Sequence, residues 1–116
     1  MADLALEGDE LAVTLSLLER AESAHGDVRV PRSSVQSVEV IERPVDAVGG
    51  WKLIGARFPG SFAIGTFVVD GRRVFAVVHR GTRRGVRITL EHEAYHELVI
   101  GCDDPEGAAA LLAPIA

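Results

Sequence analysis

The sequence predicts a mainly β fold, a small antiparallel barrel or sandwich of about seven short strands with a short early helix and a C-terminal capping helix. Three observations predict it. Apolar residues recur at every second position in many short runs, turn-forming dipeptides separate these runs, and two stretches carry helix-start signals. The length of 116 residues suits one core, so we expect a single domain over residues 1–116.

The N-terminal part predicts a hairpin followed by a short helix. Leucine and valine alternate with acidic residues on both sides of Gly8-Asp9, a pattern typical of two strands joined by a tight turn. Ser16 and Glu19 then stand at the spacing of a capping box, in which each side chain accepts a hydrogen bond from the other residue's backbone N–H. We therefore predict a helix over about 16–24.

A bend and a long strand are predicted next. Val28 begins a short alternating run that Pro31 interrupts, because proline has no backbone N–H to donate. β-branched residues resume at Val35 and continue to Pro44, which favours a strand that ends before that proline. We place the bend at 31–34.

The mid-chain segment 51–65 contains three glycines, a proline and little periodicity, so we predict a loop or an irregular edge. It is also unusually rich in large apolar side chains. These side chains either fold over the mouth of the barrel or form an exposed patch that docks on another copy or on a different protein. The candidate interaction residues are Trp51, Leu53, Ile54, Phe58 and Phe62.

Hairpins dominate the second half. Asp70-Gly71 separates the β-rich runs 66–69 and 74–78, which is the strongest hairpin pattern in the chain. After a turn at 82–85, alternating residues predict a further strand over 86–90.

The C-terminal part predicts a short strand and a helix. Leu98-Val99-Ile100 is the strand, and an acidic residue followed by Pro105 marks the start of the helix. We expect the helix to cover an open end of the barrel, with three apolar side chains facing inward: Leu111, Leu112 and Ile115.

Residues 26–40, residues 59–66 together with 75–79, and residues 103–112 resemble the bacterial PH-like (pleckstrin-homology-like) domains, in particular the short stand-alone actinobacterial type. The resemblance implies a barrel with a terminal helix and a role in binding lipid headgroups, peptides or further copies. Inositol-phosphate-binding members of that family use a basic loop between the first two strands. Here that loop, residues 7–10, is acidic, so this activity is not expected.

Residues 92–96 match the H-E-x-x-H spelling of zinc proteases, with His92 and His96 as candidate ligands and Glu93 as candidate base. That motif requires a long helix. Here it lies between two predicted strands, so we predict a polar turn. We predict no catalytic residue, no metal ligand and no cofactor.

Half of the basic residues fall within sixteen positions that contain no acid. Arginine forks bind phosphate or carboxylate through two hydrogen bonds, so these side chains are candidate ligands for an anion or an anionic membrane surface. Alternatively, they pair with the acidic remainder of the molecule. The candidate anion-binding residues are Arg72, Arg73, Arg80, Arg83, Arg84 and Arg87.

Charge and cysteine content limit the function classes. The formal net charge of -5 opposes nucleic-acid binding, and the single cysteine, Cys102, favours a reducing compartment, so we expect a cytoplasmic protein. We expect a non-enzymatic PH-like interaction module that binds a protein partner or itself. The alternative is a peripheral binder of anionic ligands, such as a lipid headgroup or another phosphate, through the arginine-rich hairpins.

Overall fold

The computed structural model describes residues 2–23 and 25–112, and this part of the chain forms nine strands and two short helices. The helices are α1 (Leu17–Ser23) and α2 (Pro105–Leu112), and short 3-10 turns occupy Arg32–Ser34 and Pro44–Ala47. The strands are β1 (Asp3–Glu7), β2 (Glu10–Thr14), β3 (Val28–Pro31), β4 (Val35–Glu42), β5 (Trp51–Phe58), β6 (Phe62–Val69), β7 (Arg72–Val78), β8 (Arg84–Leu90) and β9 (Glu97–Gly101).

The described strands form two open sheets and not a closed barrel, so the barrel alternative of the predicted barrel or sandwich is wrong, and they number nine where about seven were predicted. The smaller sheet has the order β1-β2-β3, and the larger has the order β4-β8-β9-β7-β6-β5. The prediction of a purely antiparallel arrangement is also wrong, because β9 enters between β8 and β7 and pairs with β7 in parallel. The predicted mainly β class, with an early and a terminal helix, is confirmed.

The larger sheet has an apolar core on each face. One core contains side chains of both sheets, including Leu11, Val30 and Phe75, together with Leu112 from α2. On the opposite face, Val45 and Val48 pack with a second group of buried side chains of the larger sheet: Ala63, Phe67, Val74, Ala76, Val78 and Val99. Strands covered on both faces become hydrophobic throughout, and β7 is buried from Val74 to Val78.

The capping box and α1 are confirmed, with the helix at Leu17–Ser23. The Ser16 N–H donates to Oε1 of Glu19 at 2.8 Å, and the Glu19 N–H donates to Oγ of Ser16 at 3.2 Å. The helix packs against β5 and β6. It therefore links the smaller sheet, which it follows in sequence, to the free edge of the larger one.

The predicted start of α2 is confirmed. The carboxylate of Asp104 accepts a hydrogen bond from the Gly107 N–H at 3.1 Å, and Pro105 opens the helix. The helix packs against β1, β4 and β8, where Leu112 is buried. Leu111 is exposed, so its predicted inward orientation is wrong, and Ile115 lies outside the described residues.

The loop predicted for residues 51–65 is wrong, because β5 and the start of β6 form a regular antiparallel pair there. Gly55 and Gly65, which indicated a loop, face each other across this pair with φ angles of 127° and 141°. A Cβ at Gly55 would stand 2.3 Å from the Ile64 carbonyl oxygen, so glycine permits a close approach of the two backbones. The alternative of an irregular edge is confirmed by a register shift between Lys52 and Ile54.

The hairpin at Asp70-Gly71 is confirmed, with Val69 opposite Arg72 across the turn. The bend predicted at 31–34 is present as well, and it separates β3 in the smaller sheet from β4 in the larger one.

Neither helix in the described part of the chain has the length and apolar content needed to cross a bilayer.

Candidate interaction surfaces

Four apolar side chains of β5 are exposed, and we call them the β5 patch: Trp51, Leu53, Ile54 and Phe58. Trp51 is 79% exposed and Phe58 is 61% exposed. Phe62, the fifth predicted member, is only half-buried and lies opposite Phe58 in the β5–β6 pair. These four side chains are therefore exposed and do not fold over a barrel mouth, and docking of this patch on another copy or on a different protein stays a prediction.

The β5–β6 register places three members of the patch on one face. Residues directly opposite in an antiparallel pair share a face, and Trp51, Ile54 and Phe58 stand opposite Val68, Thr66 and Phe62. Leu53 is the extra residue at the register shift. The neighbouring helix α1 exposes Leu17 and Leu18, at 86% and 68%. Apolar side chains are therefore exposed on two elements in contact.

Backbone groups add to this surface, because β5 is an edge strand that bonds only β6 within the described sheets. The unpaired side of an edge strand presents N–H and C=O groups to another chain. The bulge at Leu53 and the exposed Lys52 both oppose indiscriminate strand pairing. The Arg57 guanidinium keeps its charge but is held in place, since it donates to the carbonyls of Gly49 and Gly50 and lies 5.3 Å from the Phe67 ring centroid.

Arg72 and Arg87 pair with acidic side chains. The guanidinium of Arg72 lies 3.3 Å from the Glu97 carboxylate, and Arg87 lies 3.8 Å from the same carboxylate and 3.4 Å from that of Glu39. These arginines neutralise acids on neighbouring strands, so they fit the alternative of internal pairing.

Arg84 is also paired. Its guanidinium binds Glu106 and lies 3.2 Å from the Glu42 carboxylate. The hydrogen bond from Arg84 holds the pKa of the Glu106 carboxyl below its ordinary value. Arg84 therefore joins the end of β4 to the first turn of α2.

Arg73, Arg80 and Arg83 are exposed, and none has a carboxylate of the described residues within salt-bridge distance. Arg73 lies at the start of β7, whereas Arg80 and Arg83 lie in the loop after its end. Seven strand residues span about 20 Å, so the six predicted arginines do not form one continuous surface.

A concave site lies between the β5–β6 turn and the β7–β8 loop, with a volume of about 260 Å³. No acidic side chain is among its lining residues in the described chain. Arg80 is oriented by the Phe62 ring, whose centroid is 5.8 Å from its guanidinium carbon. We call this site the basic cleft, and it is lined by Arg43, Val45, Gly60, Ser61, Arg80, Gly81, Thr82 and Arg83.

Arg43 enters the basic cleft from a strained backbone. It precedes Pro44 and has φ 46° and ψ 65°, a left-handed conformation that costs a non-glycine residue about 1–3 kcal/mol. Two contacts hold it there. Its N–H donates to the Arg83 carbonyl at 2.7 Å, and its Nε donates to the Asp46 carboxylate at 2.8 Å.

The turn predicted for residues 92–96 is confirmed, since this segment connects β8 to β9 without helical structure. Glu93 accepts a hydrogen bond from the Ser34 hydroxyl at 2.9 Å, and Nδ1 of His96 accepts one from the Arg73 N–H at 3.0 Å. His92 is exposed, with φ 63°. Within the described residues no three metal-binding side chains come together here or elsewhere.

Glu19 joins α1 to the end of β7 through a part-buried hydrogen bond with His79. Its side chain is 1% exposed, and its Oε2 lies 2.6 Å from Nε2 of His79. Burial raises the pKa of this carboxyl, but hydrogen bonds from His79 and from the Ser16 N–H outweigh burial and leave the pKa below its ordinary value. The contact fixes α1 beside β5 and β6.

Cys102 and His25 have structural environments. Burial, reinforced by Asp104 and Asp103, raises the pKa of the Cys102 thiol, which disfavours the nucleophilic thiolate. The ring of His25 packs against Phe75, with ring centroids 4.9 Å apart.

Comparison with models of protein families, with curated proteins and with solved structures finds no match to this chain. The resemblance to PH-like domains therefore stays a prediction.

Sequence reasoning missed three contributors to these surfaces. The sequence places Leu17 and Leu18 only in a helix, and nothing in their spacing distinguishes exposed leucines from buried ones. Arg43 was missed because it is separated in sequence from the arginine-rich hairpins, and chain folding alone brings it to Arg83.

Proposed function

We propose that this chain is a non-enzymatic, PH-like interaction module of the cytoplasm, and that it self-associates through the β5 patch. The support comes from exposed side chains at an unpaired sheet edge. The occupant we favour is a second copy of the same chain, since symmetric pairing of one surface with itself is the commonest form of protein assembly.

The observation that carries the proposal is the exposure of Trp51 and Phe58 on one face of the same strand. Large aromatic side chains contribute most of the binding energy at protein interfaces, and burying them removes apolar area from water. The β5 patch and the exposed leucines of α1 together form a surface with apolar anchors and few charges.

The edge of β5 favours a specific contact over nonspecific association. Lys52 and the bulge at Leu53 penalise an arbitrary incoming strand. A matching surface that leaves Lys52 in water still covers Trp51, Ile54 and Phe58. Association through this face, with or without backbone pairing, fits the geometry.

The test is the solution mass of the chain as a function of concentration, measured by light scattering together with fluorescence. Trp51 is the single tryptophan, so its emission reports on the β5 patch alone. We expect the mass to rise toward that of a dimer and the Trp51 emission to shift to shorter wavelength with the same midpoint, because the indole leaves water.

A matched pair of variants assigns the contact to β5. Ile54 is 48% exposed on β5, and Leu111 is 47% exposed on α2. Ile54→Lys is expected to abolish the concentration dependence, and Leu111→Lys to leave it unchanged. A constant monomer mass with an unmoved Trp51 spectrum would contradict self-association, and equal effects of the two variants would remove β5 from the contact.

A further inference from the structure

The basic cleft offers an unusual set of hydrogen-bond donors. Three arginines, together with Ser61 and Thr82, are among its lining residues, and no acidic residue of the described chain lines it. A planar guanidinium binds two oxygens of a phosphate at once, and hydroxyls donate to the remaining oxygens. The chemistry of the wall therefore matches a compact anion with several acceptor oxygens.

Two of these arginines carry a charge that no ion pair in the described part of the chain neutralises. Arg80 and Arg83 have no carboxylate of the described residues within salt-bridge distance, in contrast to Arg72, Arg84 and Arg87. Arg80 is also oriented by its contact with Phe62, so less side-chain freedom is lost on binding. A guanidinium that is already neutralised would have to lose its partner first.

Arg43 connects two sides of the cleft, the segment before the Pro44–Ala47 turn and the β7–β8 loop. Its N–H bonds the Arg83 carbonyl at 2.7 Å, so the residue before the Pro44–Ala47 turn and the β7–β8 loop are held at a fixed separation. Backbone strain of this kind concentrates at binding sites, where the surrounding structure maintains it. The Asp46 carboxylate pairs with Arg43 but is not part of the cleft wall.

We infer that the basic cleft binds a phosphate monoester group, carried either by a soluble small molecule or by a lipid headgroup. The volume of about 260 Å³ accommodates the phosphate and the first atoms attached to it. The acidic β1–β2 turn, where the resemblance to PH-like domains would place an inositol phosphate, takes no part. The inference does not depend on the β5 patch or on self-association.

The first experiment titrates inorganic phosphate and glycerol 3-phosphate into the ¹⁵N-labelled chain at low ionic strength. We expect saturable shifts of the backbone amides of Ser61 and of Arg80 to Arg83, and weaker binding as salt is added, because exposed ion pairs are screened. The double variant R80Q/R83Q is expected to weaken binding by about tenfold or more, since each charge-assisted hydrogen bond is lost.

The matched control is R72Q/R73Q, which removes the same charge at the opposite end of β7. Measured at about 0.15 M salt, it is expected to change the affinity by less than about twofold, because the opposite end of β7, about 20 Å away, lies well beyond the Debye length of about 8 Å at that ionic strength. Arg83→Lys, which keeps the charge but loses the fork, should give an intermediate affinity and serves if the double variant does not fold.

Vesicles distinguish the two sources. If the phosphate belongs to a lipid, the chain cosediments with phosphatidylcholine vesicles that contain phosphatidic acid, and less with vesicles of equal charge that contain phosphatidylserine. If it belongs to a soluble molecule, glycerol 3-phosphate binds and neither vesicle sediments the chain. No saturable binding of either phosphate, or an equal loss in R80Q/R83Q and R72Q/R73Q, would overturn the inference.

Discussion

Strands β5 and β7 have similar composition but differ in the burial of their apolar side chains. Each has basic residues and a set of large apolar ones, WKLIGARF in β5 and RRVFAVV in β7. Val74 to Val78 are buried in β7, whereas Trp51, Leu53, Ile54 and Phe58 are exposed in β5.

The difference comes from position in the sheet. β7 lies between β6 and β9, with one apolar core on each face, whereas β5 has β6 as its sole partner among the described strands. A strand at the edge loses one lateral neighbour and part of the covering layers. Apolar side chains in the centre of this sheet therefore stabilise the fold, whereas those at its edge form a candidate contact surface.

The largest expected effect is the difference in stability loss between a substitution in the central strand β7 and one in the edge strand β5. Phe75→Ala should lower the free energy of unfolding by about 3–5 kcal/mol, because it leaves a cavity in the core. Phe58→Ala should lower it by less than about 1 kcal/mol, since the Phe58 ring is mostly in water. Urea unfolding of dilute protein measures both. Similar losses for the two variants would mean that β5 is as well covered as β7.

An intermediate effect is expected at the contact that fixes α1 beside β5. Glu19→Gln should cost about 1–3 kcal/mol at neutral pH, because it removes a charged hydrogen bond to His79 from a buried site.

The effect of Glu19 depends on pH with a defined sign. Its pKa is lower in the folded chain than in the unfolded one, so its contribution is complete above the ordinary carboxyl pKa and is lost as the pH falls through the folded value. The difference in unfolding free energy between the native chain and Glu19→Gln should therefore shrink on acidification, as urea titrations at several pH values would show. A constant difference across this range would contradict the depressed pKa.

The smallest effect concerns the β5 patch itself. Trp51→Gln should change the free energy of unfolding of dilute monomer by no more than about 0.5 kcal/mol, because the indole is 79% exposed. Differential scanning calorimetry at low and high concentration checks this, with the native chain gaining stability at high concentration if the patch is an interface. A large loss at low concentration would place Trp51 in the monomer core.

Local physics explains what could be predicted from sequence. The capping box of Ser16 and Glu19, the turn at Asp70-Gly71 and the proline that opens α2 act within a few residues, and all are confirmed. The glycines of β5 and β6 misled the prediction, because a close approach between Gly55 and Gly65 requires the same residue type as a turn.

The candidate sites could be predicted from the sequence only in part. The density of arginines in sequence identifies the six candidates. Three of them, Arg72, Arg84 and Arg87, pair with acidic residues on strands and a helix that meet only in three dimensions: Glu39, Glu42, Glu97 and Glu106. The addition of Arg43 to Arg80 and Arg83 has the same origin.

The sequence by itself determined the mainly β class, the hairpins, the helix starts and the absence of a helical H-E-x-x-H site, because periodicity and capping are set by neighbours along the chain. Packing of the whole chain, and not the sequence pattern, determines that the sheets stay open, that β9 pairs with β7 in parallel, and that residues 51–58 form an edge strand and not a loop. Strand order is chosen by packing over the whole molecule, and which apolar side chains remain in water follows from that order.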